Sequence, residues 1–148
     1  MKTHSLDFEY KSTGRGTEFL HLVCVSLDDT VYWLNDNSET KDFLLALKAC
    51  EGDAIIAHAA SLAEIPCCMK LGVDVEKYLW VCTETLYHYI NHIKQGTQGN
   101  EISTSLIECL NNYGLSKGFT TTEQKDYWRD IIINKDVEQY KQDIIKYC

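Results

Sequence analysis

The stretch Ser5-Leu6-Asp7-Phe8-Glu9-Tyr10, close to the N-terminus, decides how the rest of the chain is read. Apolar and polar side chains alternate along it, which is the period-two pattern of a β-strand. Side chains two residues apart project from the same face of a strand, so the pattern predicts Asp7 and Glu9 side by side. Adjacent carboxylates repel each other, and burial increases that cost. Either a divalent cation compensates the repulsion, or both acids are solvated on the outer face of an edge strand.

The length and composition indicate a single globular domain. The chain has 148 residues, of which 45% are hydrophobic and 11% aromatic, which is enough for a core and too apolar for a disordered chain. No apolar run reaches the length of a membrane span, and the first residues lack the pattern of a signal peptide. We therefore expect no membrane partner and a cytosolic location.

The charge and the cysteine content argue against two further classes of protein. The formal net charge is −8 without a cluster of lysines and arginines, which argues against a broad basic surface for duplex DNA. The seven cysteines are irregularly spaced and include no C-x-x-C pair. They are therefore interpreted as small buried hydrophobic residues rather than as a disulfide or zinc framework.

The remaining patterns predict an α/β fold with a mixed five-stranded sheet. Further strands are predicted over residues 19–25, 30–34, 54–58 and 79–82, and helices over residues 39–52, 64–72, 83–95, 103–114, 123–133 and 136–147. Tight turns between the first three strands indicate an antiparallel meander, and the strand–helix units that follow indicate parallel strands, with helices on both faces. Pro66 is tolerated in the first turn of a helix, which places that helix start near Glu64.

Three carboxylates are predicted to converge in this fold. The topology places the first strand near the centre of the sheet, and Glu64 follows the fourth strand at its carboxyl end, where open α/β sheets place their sites. If these two strands are neighbours, Asp7, Glu9 and Glu64 meet at one rim. Such a set suits two Mg²⁺ or Mn²⁺ ions, as used in phosphodiester hydrolysis. The alternative for Glu64 is an exposed acid at the start of a helix.

At this point the chain resembles a known family along its whole length. Leu6-Asp7-Phe8-Glu9 resembles the first motif of the DEDD 3′→5′ exonucleases, which have a ribonuclease H-like fold. The nearest resemblance is to the N-terminal proofreading domain of family A, phage-type DNA polymerases. Residues 55–64 (IIAHAASLAE) are similar to the second motif, and residues 143–148 (DIIKYC) resemble the start of the third, in which a Tyr precedes an Asp by four positions.

The resemblance implies a two-metal-ion exonuclease that removes nucleotides from the 3′ end of single-stranded DNA as the proofreading part of a DNA polymerase. Asp7, Glu9 and Glu64 would then hold two Mg²⁺ or Mn²⁺ ions, and Tyr147 would orient the attacking water; the alternative for Tyr147 is a core tyrosine. The implied partner is a polymerase domain in the same or a neighbouring chain, and the implied setting includes a phage-encoded protein in the cytoplasm of a bacterial host.

Two aromatic or heterocyclic side chains are candidate contacts to the nucleotide. Phe8 lies between the two first-motif acids, and His58 lies at the end of the fourth predicted strand. An aromatic ring can stack on a base, whereas core packing is the alternative for Phe8. A hydrogen-bonded histidine at a strand end is the alternative for His58.

The chain departs from the family pattern in two places. In the second motif Ala59 stands where the family has Asn, and the acid is Glu64 rather than Asp. The third-motif Asp would follow Cys148, so residues 1–148 are expected to form one exonuclease-like domain that ends just before its last metal ligand. The candidates to replace this ligand are Asp130, Asp136 and Asp143. The alternative function is a catalytically impaired module that binds a polymerase, nucleic acid or another protein, and an RNA substrate also stays open.

Overall fold

A mixed five-stranded sheet is the frame of the computed structural model, which describes residues 1–95, 105–115 and 121–148. Its strands are β1 (Thr3–Ser12), β2 (Leu20–Leu27), β3 (Thr30–Trp33), β4 (Ala54–Ala57) and β5 (Leu79–Cys82). The spatial order is β3-β2-β1-β4-β5. The pairs β1–β2 and β2–β3 are antiparallel, whereas β1–β4 and β4–β5 are parallel. The predicted α/β class, with an antiparallel meander continued by parallel strands, is therefore confirmed.

The helices of the described residues connect these strands and follow them. They are α1 (Asn37–Lys48), α2 (Glu64–Lys70), α3 (Thr83–Gln95), α4 (Leu106–Asn112), α5 (Thr122–Asn134) and α6 (Lys141–Tyr147). The prediction of a helix over residues 136–147 is wrong for its first half. There Asp136 accepts a hydrogen bond from the Glu138 backbone N–H, and Val137–Tyr140 forms a 3₁₀ turn before α6. None of the described helices is long and apolar enough to cross a bilayer.

A different apolar cluster covers each face of the sheet. On one face Leu6 and Phe8 of β1 pack with Phe43 of α1, each such burial contributing roughly 1.5–3 kcal/mol. The cluster on the other face includes Cys24 of β2, Ile131 of α5 and Ile144 of α6. Five of the seven cysteines are buried, as predicted for small hydrophobic residues. Because side chains alternate along a strand, Asp7 and Glu9 project into the second face, on the side of α5 and α6.

Strand β1 is the central strand and not an edge. It pairs with β2 on one side through Asp7 and Ser26, and with β4 on the other through Ser5 and Ile56. The interpretation of the first stretch as an edge strand is therefore wrong, whereas of the two acids expected to be solvated Asp7 is exposed and Glu9 is half-buried. The pairing with β2 shifts register after Glu9, a bulge of the kind that increases local twist. The two acids thus lie on the central strand just beyond the end of its ladder with β4, where β1 still pairs with β2.

Candidate active site

Three carboxylates lie at the carboxyl end of the parallel strands. Asp7 and Glu9 are on β1, and Glu64 is the first residue of α2, which follows β4. The strands β1 and β4 are parallel neighbours, which was the condition for convergence. Asp7 is exposed, Glu9 is half-buried and Glu64 is only 3% exposed. The interpretation of Glu64 as an exposed acid at a helix start is therefore wrong.

Desolvation raises the pKa of all three acids. The pKa of Glu9 rises to about 8, mainly because it is desolvated and next because the Asp7 carboxylate repels its charge, with a smaller contribution from Glu64. Desolvation also raises the pKa of Glu64 to about 7, and the Asp7 charge adds to this. The pKa of Asp7 is raised by desolvation as well, although its side chain is open to solvent.

One oxygen of Glu64 lacks a protein partner. Among the described residues, Glu64 Oε2 is the buried side-chain oxygen or nitrogen that makes no hydrogen bond. A buried polar atom without a partner costs on the order of 1–3 kcal/mol, and a charged one costs more. A cation bound beside Glu64 would remove this cost, whereas a proton would remove the charge and leave a buried O–H without an acceptor. This donor set, carboxylates with one unsatisfied buried oxygen, therefore fits a hard divalent cation.

Two basic residues of α5 face these acids. Lys125 lowers the pKa of Asp7 and Glu9, and Arg129 lowers that of Glu9. They are four residues apart, so they lie on the same side of the helix. The sequence patterns did not identify them as part of the site. The signal that could have done so is their spacing on a helix predicted to cover the sheet.

Glu84 is a further acid near the site that the sequence patterns did not single out. It lies in the first turn of α3, and its backbone N–H donates to the His58 carbonyl oxygen at 2.9 Å. This bond holds the start of α3 beside the end of β4. The Glu84 charge raises the pKa of Glu64. Its position directly after a parallel strand, which also marked Glu64, was the available signal.

The three acids that were candidates to replace the third-motif Asp interact with groups outside the site or are exposed. Asp130 accepts a hydrogen bond from Asn134 Nδ2 at 2.7 Å, and Asp136 caps the 3₁₀ turn. Asp143 is exposed on α6. None of them is among the described charges that act most strongly on Asp7, Glu9 or Glu64. Glu84 is therefore better placed than any of the three to supplement the set.

Tyr147, at the end of α6, lies close to the first two acids. Its side chain is half-buried, and its ring centroid is 5.8 Å from that of Trp128. Desolvation and then the charges of Glu9 and Asp7 raise its pKa above the usual value. The hydroxyl therefore stays protonated and can donate a hydrogen bond at neutral pH. Packing against Trp128 and proximity to the acids occur together, so the two interpretations of this residue are compatible.

His58 and Phe8 differ in what they offer a ligand. His58 follows β4, and its Nδ1 lies 3.0 Å from Thr83 Oγ1. It is half-buried, and its charge lowers the pKa of Asp7, which places it near the carboxylates. Phe8 is only 4% exposed and makes an edge contact with Phe43 at 5.8 Å. The assignment of Phe8 to substrate binding is therefore corrected. Its ring is buried in the core, so neither face of the ring is accessible for stacking on a base.

The described acids do not form a preassembled metal cage. In residues 1–95, 105–115 and 121–148, no three His, Cys, Asp or Glu side chains lie close enough together to hold a metal ion as they stand. Mutual repulsion and raised pKa values are physical reasons for carboxylates to stay apart until a cation joins them. Comparisons of the chain with protein-family models, curated proteins and solved structures gave no match.

We expect Glu64→Gln to stabilise the fold at about pH 8 in metal-free buffer. The pKa of Glu64 is about 7 when folded against an ordinary 4.5, so the folded state holds the proton more tightly. The free energy of unfolding contributed by this group therefore falls as the pH rises from 4.5 through 7. Gln keeps the shape without the charge, which removes a loss on the order of 2 kcal/mol at about pH 8 and little at about pH 4.5.

Urea denaturation at both pH values measures this difference. The exposed acid Glu76 on the 3₁₀ turn Val75–Lys77 provides a matched control, since Glu76→Gln removes the same charge from water. Equal responses of Glu64→Gln and Glu76→Gln to pH would show that Glu64 is not a desolvated acid.

Proposed function

We propose that this chain is a 3′→5′ exodeoxyribonuclease with a ribonuclease H-like fold, which removes nucleotides from single-stranded DNA with two Mg²⁺ or Mn²⁺ ions. The observation that carries the proposal is the set of Asp7, Glu9 and Glu64 at one end of the parallel strands, with raised pKa values and one unsatisfied buried oxygen. The mixed sheet, with its antiparallel and parallel halves, is the architecture that the exonuclease resemblance implies and supports the same proposal.

The divalent ions would be held by Asp7, Glu9 and Glu64, with Glu84 as a candidate fourth carboxylate. When bound, such ions activate water and stabilise the charge that develops on the leaving 3′ oxygen. The protonated hydroxyl of Tyr147 orients the attacking water by donating a hydrogen bond. Lys125 and Arg129 face the same acids from α5, where they attract the phosphate of the substrate. The partner in this proposal is a DNA polymerase domain that delivers unpaired 3′ ends.

Incubation of the full chain with a 5′-labelled single-stranded DNA oligonucleotide tests the proposal. With Mg²⁺ or Mn²⁺ we expect a ladder that shortens from the 3′ end, and no ladder with a chelator. A blunt duplex of the same sequence should be degraded more slowly, because its 3′ end is paired. Internal fragments without a ladder, or an unchanged substrate with both metals, would contradict the proposal.

A second candidate function is a catalytically impaired module of the same fold that binds a polymerase, nucleic acid or another protein. The observation that favours it is that the described acids form no preassembled set of metal ligands. Such a module would fold without binding divalent cations, so the cation would leave its thermal midpoint unchanged. The exonuclease, by contrast, should gain stability from a cation that binds only the folded state.

A further inference from the structure

A basic pocket lies beside the carboxylates on the same face of the sheet. Its volume is about 300 Å³, and its lining includes the basic residues Lys11, His21 and Lys135 and the apolar residues Leu22, Ile132 and Val137. The residues that line it include no acid. In a chain of net charge −8 with only 14 lysines and arginines, this grouping of positive charge favours an anionic ligand.

The strand β1 connects this pocket to the acids. Asp7, Glu9 and Lys11 are successive alternate residues of β1, so they project from the same face. Two residues of a strand span roughly 6–7 Å, which places Lys11 one such step beyond Glu9. The helix α5 runs over the same face, with Lys125 and Arg129 beside the acids and Lys135 directly after its last residue. Basic side chains of α5 and of the residue after it therefore lie both beside the acids and at the pocket.

Asp136 and Glu138, the acids on either side of the lining residue Val137, are hydrogen-bonded to other groups. Asp136 accepts a hydrogen bond from the Glu138 backbone N–H, and Glu138 Oε1 accepts from Trp33 Nε1 at 3.0 Å. Within the described residues neither Lys11 nor Lys135 forms an ion pair. Their charges are thus available to a ligand, while the apolar lining suits the less polar surface of a sugar or base.

We infer that this pocket holds the phosphodiester backbone of a single-stranded polynucleotide whose 3′ end lies at the carboxylates. The inference rests on the proposed function, to which it adds a second anchoring point for the substrate. Lys11 and Lys135 contact phosphate oxygens, so they contribute affinity without base selectivity. The deoxy or ribo form of the strand is set elsewhere, because phosphate is common to both.

Fluorescence anisotropy with labelled oligo-dT and oligo-rU, in chelator so that no cleavage occurs, tests this inference. Two double variants lose the same charge: Lys11→Gln with Lys135→Gln at the pocket, and Lys41→Gln with Lys48→Gln on the exposed side of α1. We expect the pocket variant alone to lose about tenfold or more in affinity. Its slope of log affinity against log salt should fall by about 1.4, since each single-strand phosphate contact contributes about 0.7.

The outcomes separate this inference from the proposed function. Equal affinities and salt slopes for the two double variants, or no binding of either oligonucleotide by the unaltered chain, would overturn the pocket assignment. Normal binding at the pocket without any metal-dependent shortening of the DNA would instead overturn the proposed exonuclease activity. Equal thermal midpoints of the two variants verify that both are folded.

Discussion

Replacement of Asp7 by Asn is expected to slow the 3′→5′ cleavage of single-stranded DNA by roughly 10³-fold, since metal-ion catalysis provides several kcal/mol of the lowered barrier. Asp7 is the most accessible of the three acids. Its charge raises the pKa of both Glu9 and Glu64. Asn keeps the size of the side chain but removes the negative charge and replaces one carboxylate oxygen by an NH2 group, which cannot bind a cation. The rate is measured with Mg²⁺ or Mn²⁺ at saturating oligonucleotide.

Stability separates this effect from unfolding. Because Asp7 repels the charge of Glu9, Asp7→Asn should lower the pKa of Glu9 and leave the fold at least as stable as before. Asp29→Asn, in the exposed turn between β2 and β3, is the matched control and should cleave at the normal rate. If Asp7→Asn and Asp29→Asn have equal rates, Asp7 has no part in catalysis.

Ile144→Ala is expected to reduce the free energy of unfolding by about 2–5 kcal/mol, as for other large-to-small changes in a core. Ile144 is fully buried in the cluster that joins α5 and α6 to the sheet. Truncation leaves a cavity between the helices and β2, because the closely packed side chains around it can relax only partly. The change is measured as the shift of the urea midpoint at constant slope.

The same substitution should affect the site through Tyr147, three residues further along α6. Looser anchoring of α6 allows the Tyr147 hydroxyl to move away from the acids, so cleavage should slow even where the chain remains folded. Ile133→Ala is the matched control, because Ile133 is 38% exposed on α5; it should cost less than about 1 kcal/mol. Equal losses for the two variants would contradict the described packing of α6.

The positions of the three acids on a strand and at a helix start followed from local patterns. Alternation along β1 depends on two-residue geometry alone, and the burial of Leu6 and Phe8 on one face and of Glu9 on the other agrees with it. The start of α2 at Glu64 followed from the restriction that Pro66 places on a helix. These features are local, so a single sequence contains enough information to predict them.

Features that depend on contacts between distant segments were missed. The spacing of Leu86 and Ile90 predicts an apolar stripe on α3, but Leu86 is 50% exposed. Its neighbour Tyr87 is buried instead, and the Tyr87 hydroxyl accepts a hydrogen bond from Asn112 of α4. The proximity of Lys125 to Glu9 depends on how α5 packs over the sheet. Helical periodicity identifies a stripe to within about one residue, and the packing partner then determines which residue is buried.

The central claim is that Asp7, Glu9 and Glu64 together bind divalent cations, and calorimetric titration of the full chain with Mn²⁺ tests it most directly. Glu64→Gln removes the buried ligand, and Glu76→Gln removes an equal charge from an exposed site. We expect saturable binding by the unaltered chain and by Glu76→Gln, and an affinity at least tenfold lower for Glu64→Gln. Indistinguishable titrations of the two variants, or no binding by the unaltered chain, would contradict the claim.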